Sequence, residues 1–184
     1  AADVDGDGIK DVLCASAYDH TIAWYKKSNS LISRGYGSKH VISDTMWNAT
    51  TVSAADLDED GDIDVIAAAS LSGRIVWFRN NGTGVFGPRQ VITDTTDLPV
   101  DVKAADMNND GDLDILFAGQ GNEFGGDKIG WYVNKEKGHF VAEQLISIST
   151  EAAHVCSVYP ADLDSDVDID VLSASSYNNK IFWY

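Results

Sequence analysis

Val52-Ser-Ala-Ala-Asp56-Leu-Asp-Glu-Asp-Gly-Asp-Ile-Asp64-Val-Ile-Ala-Ala-Ala-Ser70, followed by Ile75-Val-Trp77-Phe78, is the stretch that decides the fold. A small apolar run enters an Asp-x-Asp-x-Asp-Gly-x-x-Asp loop, a second apolar run leaves it, and a third carries a Trp. The loop recurs as Asp3-Val-Asp-Gly-Asp-Gly-Ile-Lys-Asp11, Asp106-Met-Asn-Asn-Asp-Gly-Asp-Leu-Asp114 and Asp162-Leu-Asp-Ser-Asp-Val-Asp-Ile-Asp170, with starts 53, 50 and 56 residues apart. Ile22-Ala-Trp24-Tyr25, Ile129-Gly-Trp131-Tyr132 and Ile181-Phe-Trp183-Tyr184 follow these loops. The distance from first Asp to Trp is 21 residues in three repeats and 25 in the third, which carries a four-residue insertion within Gly119–Lys128. Two motifs locked at one offset, four times over, mark a repeat architecture.

Within a repeat the signals are those of short strands separated by turns. Val52–Ala55 forms strand a, Val65–Ser70 strand b and Ile75–Arg79 strand c; after the Gly-containing turn Asn81–Gly87, Val91-Ile92 marks strand d. Val41-Ile42 and Leu145-Ile146 are the corresponding d positions in the first and third repeats. No segment sustains a helical period. The expectation is an all-β fold, a β-propeller of four-stranded antiparallel blades. Four blades are present, at 1–48, 49–98, 99–153 and 154–184, making one propeller domain or part of one. Small residues such as Ala54, Ala55 and Ala67–Ala69 suit the tapered inner strands, and the strand-c Trp fills the wider space between blades. The first repeat begins inside strand a and the fourth ends at Tyr184, at the end of strand c. The fourth blade is therefore expected to be incomplete. Further blades, or a second chain, are expected to complete a larger ring of about seven.

Carboxylates at loop positions 1, 3 and 5 converge when the chain curls round an ion; position 7 offers a backbone carbonyl and the Asp at position 9 closes the shell. Calcium, a hard cation that takes about 6–8 oxygens, suits that set better than magnesium, which demands a rigid octahedron. Gly at position 6 permits the sharp turn. An EF-hand shares the first half of this loop but needs a Glu at position 12, where these loops have Cys14, Ala67, Phe117 and Ser173. The third loop replaces one carboxylate by Asn108, and the fourth places Val167 where Gly belongs, so up to four ions are expected, the fourth held most weakly.

The acidic loop after a Val-x-Ala-Ala strand, with Ile-x-Trp-Tyr downstream, resembles the FG-GAP/VCBS repeat family, which includes the integrin α-subunit propeller and fungal lectins of integrin-like fold. The resemblance spans essentially the whole chain, although the Phe-Gly…Gly-Ala-Pro pattern is only partly present, as in Val85-Phe86-Gly87-Pro88. It implies calcium ligands at Asp3, Asp5, Asp7, Ile9 and Asp11, and at Asp56, Asp58, Asp60, Asp62 and Asp64. The third and fourth sets are Asp106, Asn108, Asp110, Asp112 and Asp114, and Asp162, Asp164, Asp166, Asp168 and Asp170, position 7 acting in each through its carbonyl. Strand alternation puts the a–b and c–d loops on one face and the b–c and d–a loops on the other. The second face carries His20, Trp47, Phe124, His154, Tyr177 and the insertion Gly119–Gly126. The resemblance implies protein or glycan ligands there or in clefts between blades.

With 13 basic against 29 acidic residues the net charge is −16, which repels nucleic acid and anionic membranes. No apolar run reaches the roughly 18–20 residues of a membrane helix. Cys14 and Cys156 show no disulfide or metal spacing and are expected buried and unpaired. There is no nucleophile elbow, zinc motif or phosphate loop. The four histidines, at 20, 40, 139 and 154, share no spacing, and nearly every recurring acid belongs to a loop. Glu123, Asp127 and Glu151 are acids outside the loops with no catalytic motif around them. The sequence is thus read as a non-catalytic, calcium-stabilised binding or adhesion module. The alternative is a non-catalytic propeller accessory to an enzyme domain absent from this chain. Weak calcium loops, with Kd about 10⁻⁴–10⁻³ M, fill outside cells, so an extracellular or cell-surface setting is expected.

Overall fold

The computed structural model describes residues 1–28, 35–121, 126–149 and 154–184. Strands follow one another as antiparallel neighbours in four sheets. The first is β1 (Val12–Ser16), β2 (Thr21–Lys27) and β3 (Tyr36–Ser43); the second is β4 (Ala49–Ala55), β5 (Asp64–Ala69), β6 (Arg74–Phe78) and β7 (Gln90–Thr93). The third is β8 (Pro99–Ala105), β9 (Asp114–Gly119), β10 (Asp127–Asn134) and β11 (Phe140–Ser149); the fourth is β12 (Val155–Ala161), β13 (Asp170–Ser175) and β14 (Lys180–Trp183). The architecture is the all-β propeller expected. Its second and third blades have four strands. Among the described residues the first and fourth have three, the innermost position of the first being marked by the Ala2–Asp11 bridge.

Why strand b is a continuous apolar run becomes plain from the two clusters it joins. Alternate side chains of a strand point to opposite faces. Val65, Ala67 and Ala69 pack with Ile22, Met46 and Ala49 toward the first blade, while Ile66 and Ala68 pack with Val102, Ile115 and Phe117 toward the third. The pattern repeats one blade on, where Leu116 and Ala118 join Val155, Val158 and Val171 of the fourth. Strand b of each middle sheet is buried on both faces, so no polar alternation survives in it. The strand-c Trp fills the gap between blades: Trp24 and Trp77 are almost wholly buried. A Cβ added to Gly84 of the second blade would come within 2.5 Å of Trp24, and one on Gly138 of the third would collide with Trp77. These glycines make room for the ring of the preceding blade. On the fourth sheet the equivalent residues are open, Ile181 at 75% and Trp183 at 58% exposure.

Three details depart from expectation. Strand a of the second blade starts earlier, at Ala49, and passes a register shift between Ala49 and Thr51; strand b ends at Ala69, where a 3-10 turn, Ser70–Ser72, takes over. The shift recurs at Pro99/Asp101 and Val155/Ser157, so each is a regular bulge of the blade rather than a defect. The cysteines are unpaired, but not both buried: Cys14 is half-buried and Cys156 is exposed. Cys156 sits within the bulge of β12, which breaks the inward alternation and turns it out.

Candidate metal loops and the opposite face

The loops between strands a and b close on their own carboxylates before any ion is considered. The position 1 Asp accepts backbone N–H groups ahead of it. Asp56 takes those of Asp60 and Gly61 at 3.2 and 3.0 Å, and Asp3 and Asp106 do the same in their loops; Asp162 instead takes those of Ser165 and Val167. The position 5 Asp accepts the N–H of position 7, as Asp60 does from Asp62 at 2.9 Å. At position 9, Asp64 is fully buried and accepts Leu57 N–H and Asn80 N–H, tying the loop to the end of strand c. Asp11 and Asp114 hold equivalent pairs, Val4 with Lys27 and Met107 with Asn134.

These contacts demand left-handed backbone at two places per loop. Position 6 has φ of 83° at Gly8, 89° at Gly61 and 96° at Gly111, and position 4 is positive at Gly6, Glu59, Asn109 and Ser165. Val167 adopts φ 83°, so the fourth loop keeps the glycine shape with a β-branched residue in it and carries the strain.

What the loops bring together is a compact oxygen cluster. One carboxylate oxygen from each of Asp3, Asp5 and Asp11 lies within 4.8 Å of the others; Asp56, Asp58 and Asp64, and Asp162, Asp164 and Asp170, do likewise. The third loop places Asn108 in this position, its amide donating to Asp110 Oδ2 at 2.9 Å. At position 3, Asp5 Oδ1 and Asp58 Oδ1 are buried with no hydrogen-bond partner of normal geometry. Burial dominates the titration of the inner carboxyls: Asp64 is pushed up to about 7 and Asp114 to about 6, against the opposing pull of their backbone N–H bonds. Asp58 is also raised, by burial first and then by Asp60.

Sequence reasoning missed two cations. Lys26 pairs with Asp5 and with Asp7, and Arg79 pairs with Asp58 at 2.6 Å and Asp60 at 2.9 Å. Their hydrogen bonds hold Asp7 and Asp60 below the usual carboxylate range. The available signal was position: each stands two residues after the strand-c Trp. Two asparagines one residue further on were missed as well. Asn80 Nδ2 donates to Val4 O at 2.7 Å and Asn134 Nδ2 to Leu57 O at 2.9 Å, each joining its blade to the loop of the preceding one.

On the opposite face, His20 stacks on Trp47 (centroids 5.1 Å apart, planes at 10°) and His154 packs on Tyr177 at 3.9 Å. The structure thus joins four of the five expected ligand-face residues in two pairs; Phe124 lies outside the described residues. Tyr18, at the tip of the same b–c turn as His20, is fully exposed.

The FG-GAP-like repeat pattern matches residues 3–67 and 56–117. The chain belongs to this family. Among solved structures, the FG-GAP-like fold here is similar to that of a lectin from Agrocybe aegerita described for specific recognition of non-reducing terminal N-acetylglucosamine, with a TM-score of 0.63 at 19% identity. The similarity covers 99% of this chain and 50% of that one, so the chain spans half the lectin's length. No curated protein matches the sequence.

Proposed function

We propose that the chain is a non-catalytic binding module outside the cell, its loops held by calcium and its opposite face taking a glycan or protein ligand. The observation that carries the calcium reading is Asp58, 4% exposed, with a buried Oδ1 left unpartnered in a loop already wrapped round it. An unpaired buried carboxylate oxygen is costly, and a cation removes that cost. The three oxygens lie within 4.8 Å of one another, no further apart than oxygens that share one calcium ion at bonds of about 2.4 Å. Asp3, Asp5 and Asp11 fit equally, and the oxygen-only donor set suits a hard cation. Ile9, Asp62, Asp112 and Asp168 would add their carbonyls.

The ligand face is argued from its rings. Trp47 at 61%, Tyr177 at 72% and Tyr18 expose aromatic surface beside histidine polar groups, a combination that suits sugar rings and protein side chains alike. The similar lectin's recognition of a sugar favours testing glycans first. A further blade, from additional sequence or from a second chain, would cover Ile181 and Trp183 as the second and third blades cover Trp24 and Trp77. No helix among the described residues is long and apolar enough to cross a membrane.

The test is a glycan array probed with calcium-loaded protein beside the Trp47→Ala and Tyr177→Ala variants. Retention on a glycan class that either variant loses supports the ligand face. Retention untouched by both variants refutes it, and cleavage of the bound glycan refutes the non-catalytic reading.

A further inference from the structure

The first two loops each have a cationic side chain from their own blade seated on them, and among the described residues the third does not. Lys26 and Arg79 occupy the same place in the repeat and bridge the carboxylates at positions 3 and 5. Their side chains are about half exposed, at 43% and 54%, whereas the position 3 side chains beneath them are nearly buried, Asp5 at 9% and Asp58 at 3%. Each position 3 carboxylate therefore gives one oxygen to the internal cation and keeps the other unpartnered. In the third loop the equivalent of Arg79 is Val133, and position 3 is Asn108. Its amide donates to Asp110 Oδ2, the same oxygen that the cations contact on Asp7 and Asp60. In these three loops charge and counter-charge vary together. Counted over positions 1, 3, 5 and 9 alone, four carboxylates with one cation, or three with none, come to −3 either way.

We propose that Lys26 and Arg79 are tethered counter-ions: they hold the first and second loops in shape when calcium is scarce and lower those loops' affinity for it when it arrives. The proposal rests on the calcium reading of the loops. Carboxylates crowded without an ion repel one another, and a cation fixed on two of them offsets the repulsion. An arriving calcium ion must then drive the side chain off or share the carboxylates with it. Both cost affinity, because a positive charge stands beside a divalent one. The third loop reaches the same charge through an amide, which repels nothing.

Lys26→Met and Arg79→Met remove the charge and keep the apolar stem. Calorimetric titration with calcium alone should show one site tightening about tenfold in each variant. In excess chelator the same variants should melt several degrees below wild type, with Arg79→Lys restoring the midpoint. In the third loop Asn108→Asp should lower the chelated midpoint, and adding Val133→Lys should recover it. Unchanged or weaker calcium binding in both Met variants overturns the proposal. If neither wild type nor variants take up calcium, the calcium reading falls by itself. The melts in chelator then decide the counter-ion role, which unchanged midpoints refute.

Discussion

Asn134→Ala tests whether the blades are joined by side chains rather than by apolar contact alone. Asn134 is 1% exposed. Its amide donates to Leu57 O at 2.9 Å in the second blade and to Leu113 O at 3.1 Å in its own; its Oδ1 accepts Gly138 N–H at 3.0 Å. Alanine leaves all three partners without their bond. Leu57 O lies in a buried contact and cannot turn to water, which costs about 1–3 kcal/mol. Leu113 O and Gly138 N are partly accessible and recover hydration, so each adds about 0.5–1 kcal/mol. The sum is about 2–5 kcal/mol, or a fall of about 10 °C in melting midpoint for a chain of this size. Urea unfolding of calcium-saturated protein, followed by tryptophan fluorescence, measures it. Asn134→Asp keeps the acceptor but loses both donors and sets a charge against two carbonyls, so its loss should be at least as large. A loss under about 1 kcal/mol in both variants would refute the staple.

Calcium at about ten times Kd should stabilise each loop by about 1.4 kcal/mol, so that three or four sites raise the midpoint by about 10 °C over chelated protein; scanning calorimetry in calcium and in chelator measures it, and an unchanged midpoint removes the structural role. In chelator, stability should fall as pH rises from about 5.5 to 8, because Asp64 and Asp114 have folded pKa values of about 7 and about 6, above the unfolded carboxyl value, and the native state holds the extra protons. With calcium bound the slope should reverse, since protons then compete with the metal; melts at the two pH values, with and without calcium, check both signs. Val167→Gly should relieve about 1–2 kcal/mol of strain and tighten calcium at the fourth loop, read by calorimetric titration against wild type. Both thiols should react under denaturing, non-reducing conditions, and only Cys156 should react fast in the native protein.

The fold was legible because its signals are local and repeated. Spacing of the acidic loops and Trp motifs located strands a to c, and the apolar run of β5 follows from burial on two faces. Strand ends were less legible. Ser70 leaves strand b because Asn48 O and Nδ2 draw its N–H and hydroxyl into the turn, a contact from 22 residues away that no window around Ser70 contains. The exposure of Cys156 depends on a bulge, which composition does not mark. At the acidic loops the Asp spacing made readable the carboxylates of positions 1, 3 and 9 that cluster in the first, second and fourth loops, while position 5 stands outside those clusters. The position 4 left-handed backbone was not readable, because Glu59 stands there beside the more tolerant Gly6 and Asn109. Lys26, Arg79, Asn80 and Asn134 each form part of a repeated offset, but their roles need to know which loop strand c returns beside.

That return couples the loops to the blade junctions. Val4 and Leu57 are position 2 of the first and second loops, and their carbonyls are the acceptors for Asn80 and Asn134 of the next blade. Their N–H groups meanwhile donate to Asp11 and Asp64, the position 9 carboxylates. Each of these peptide segments is therefore held on one side by the carboxylate cluster and on the other by the following sheet. Whatever fixes the cluster also fixes the platform on which the next blade rests, and whatever loosens it leaves a buried asparagine with a moving acceptor. Stabilisation by a cation in one loop should therefore be felt two sheets wide. The calcium effect and the Asn134 effect should then fall short of additivity when combined, because they share Leu57. A double-mutant cycle of Asn134→Ala with Asp58→Asn, melted in calcium, measures that coupling, expected at about 0.5–3 kcal/mol for groups in one network. Strict additivity would separate the loops from the junctions and overturn this view of how the blades are held.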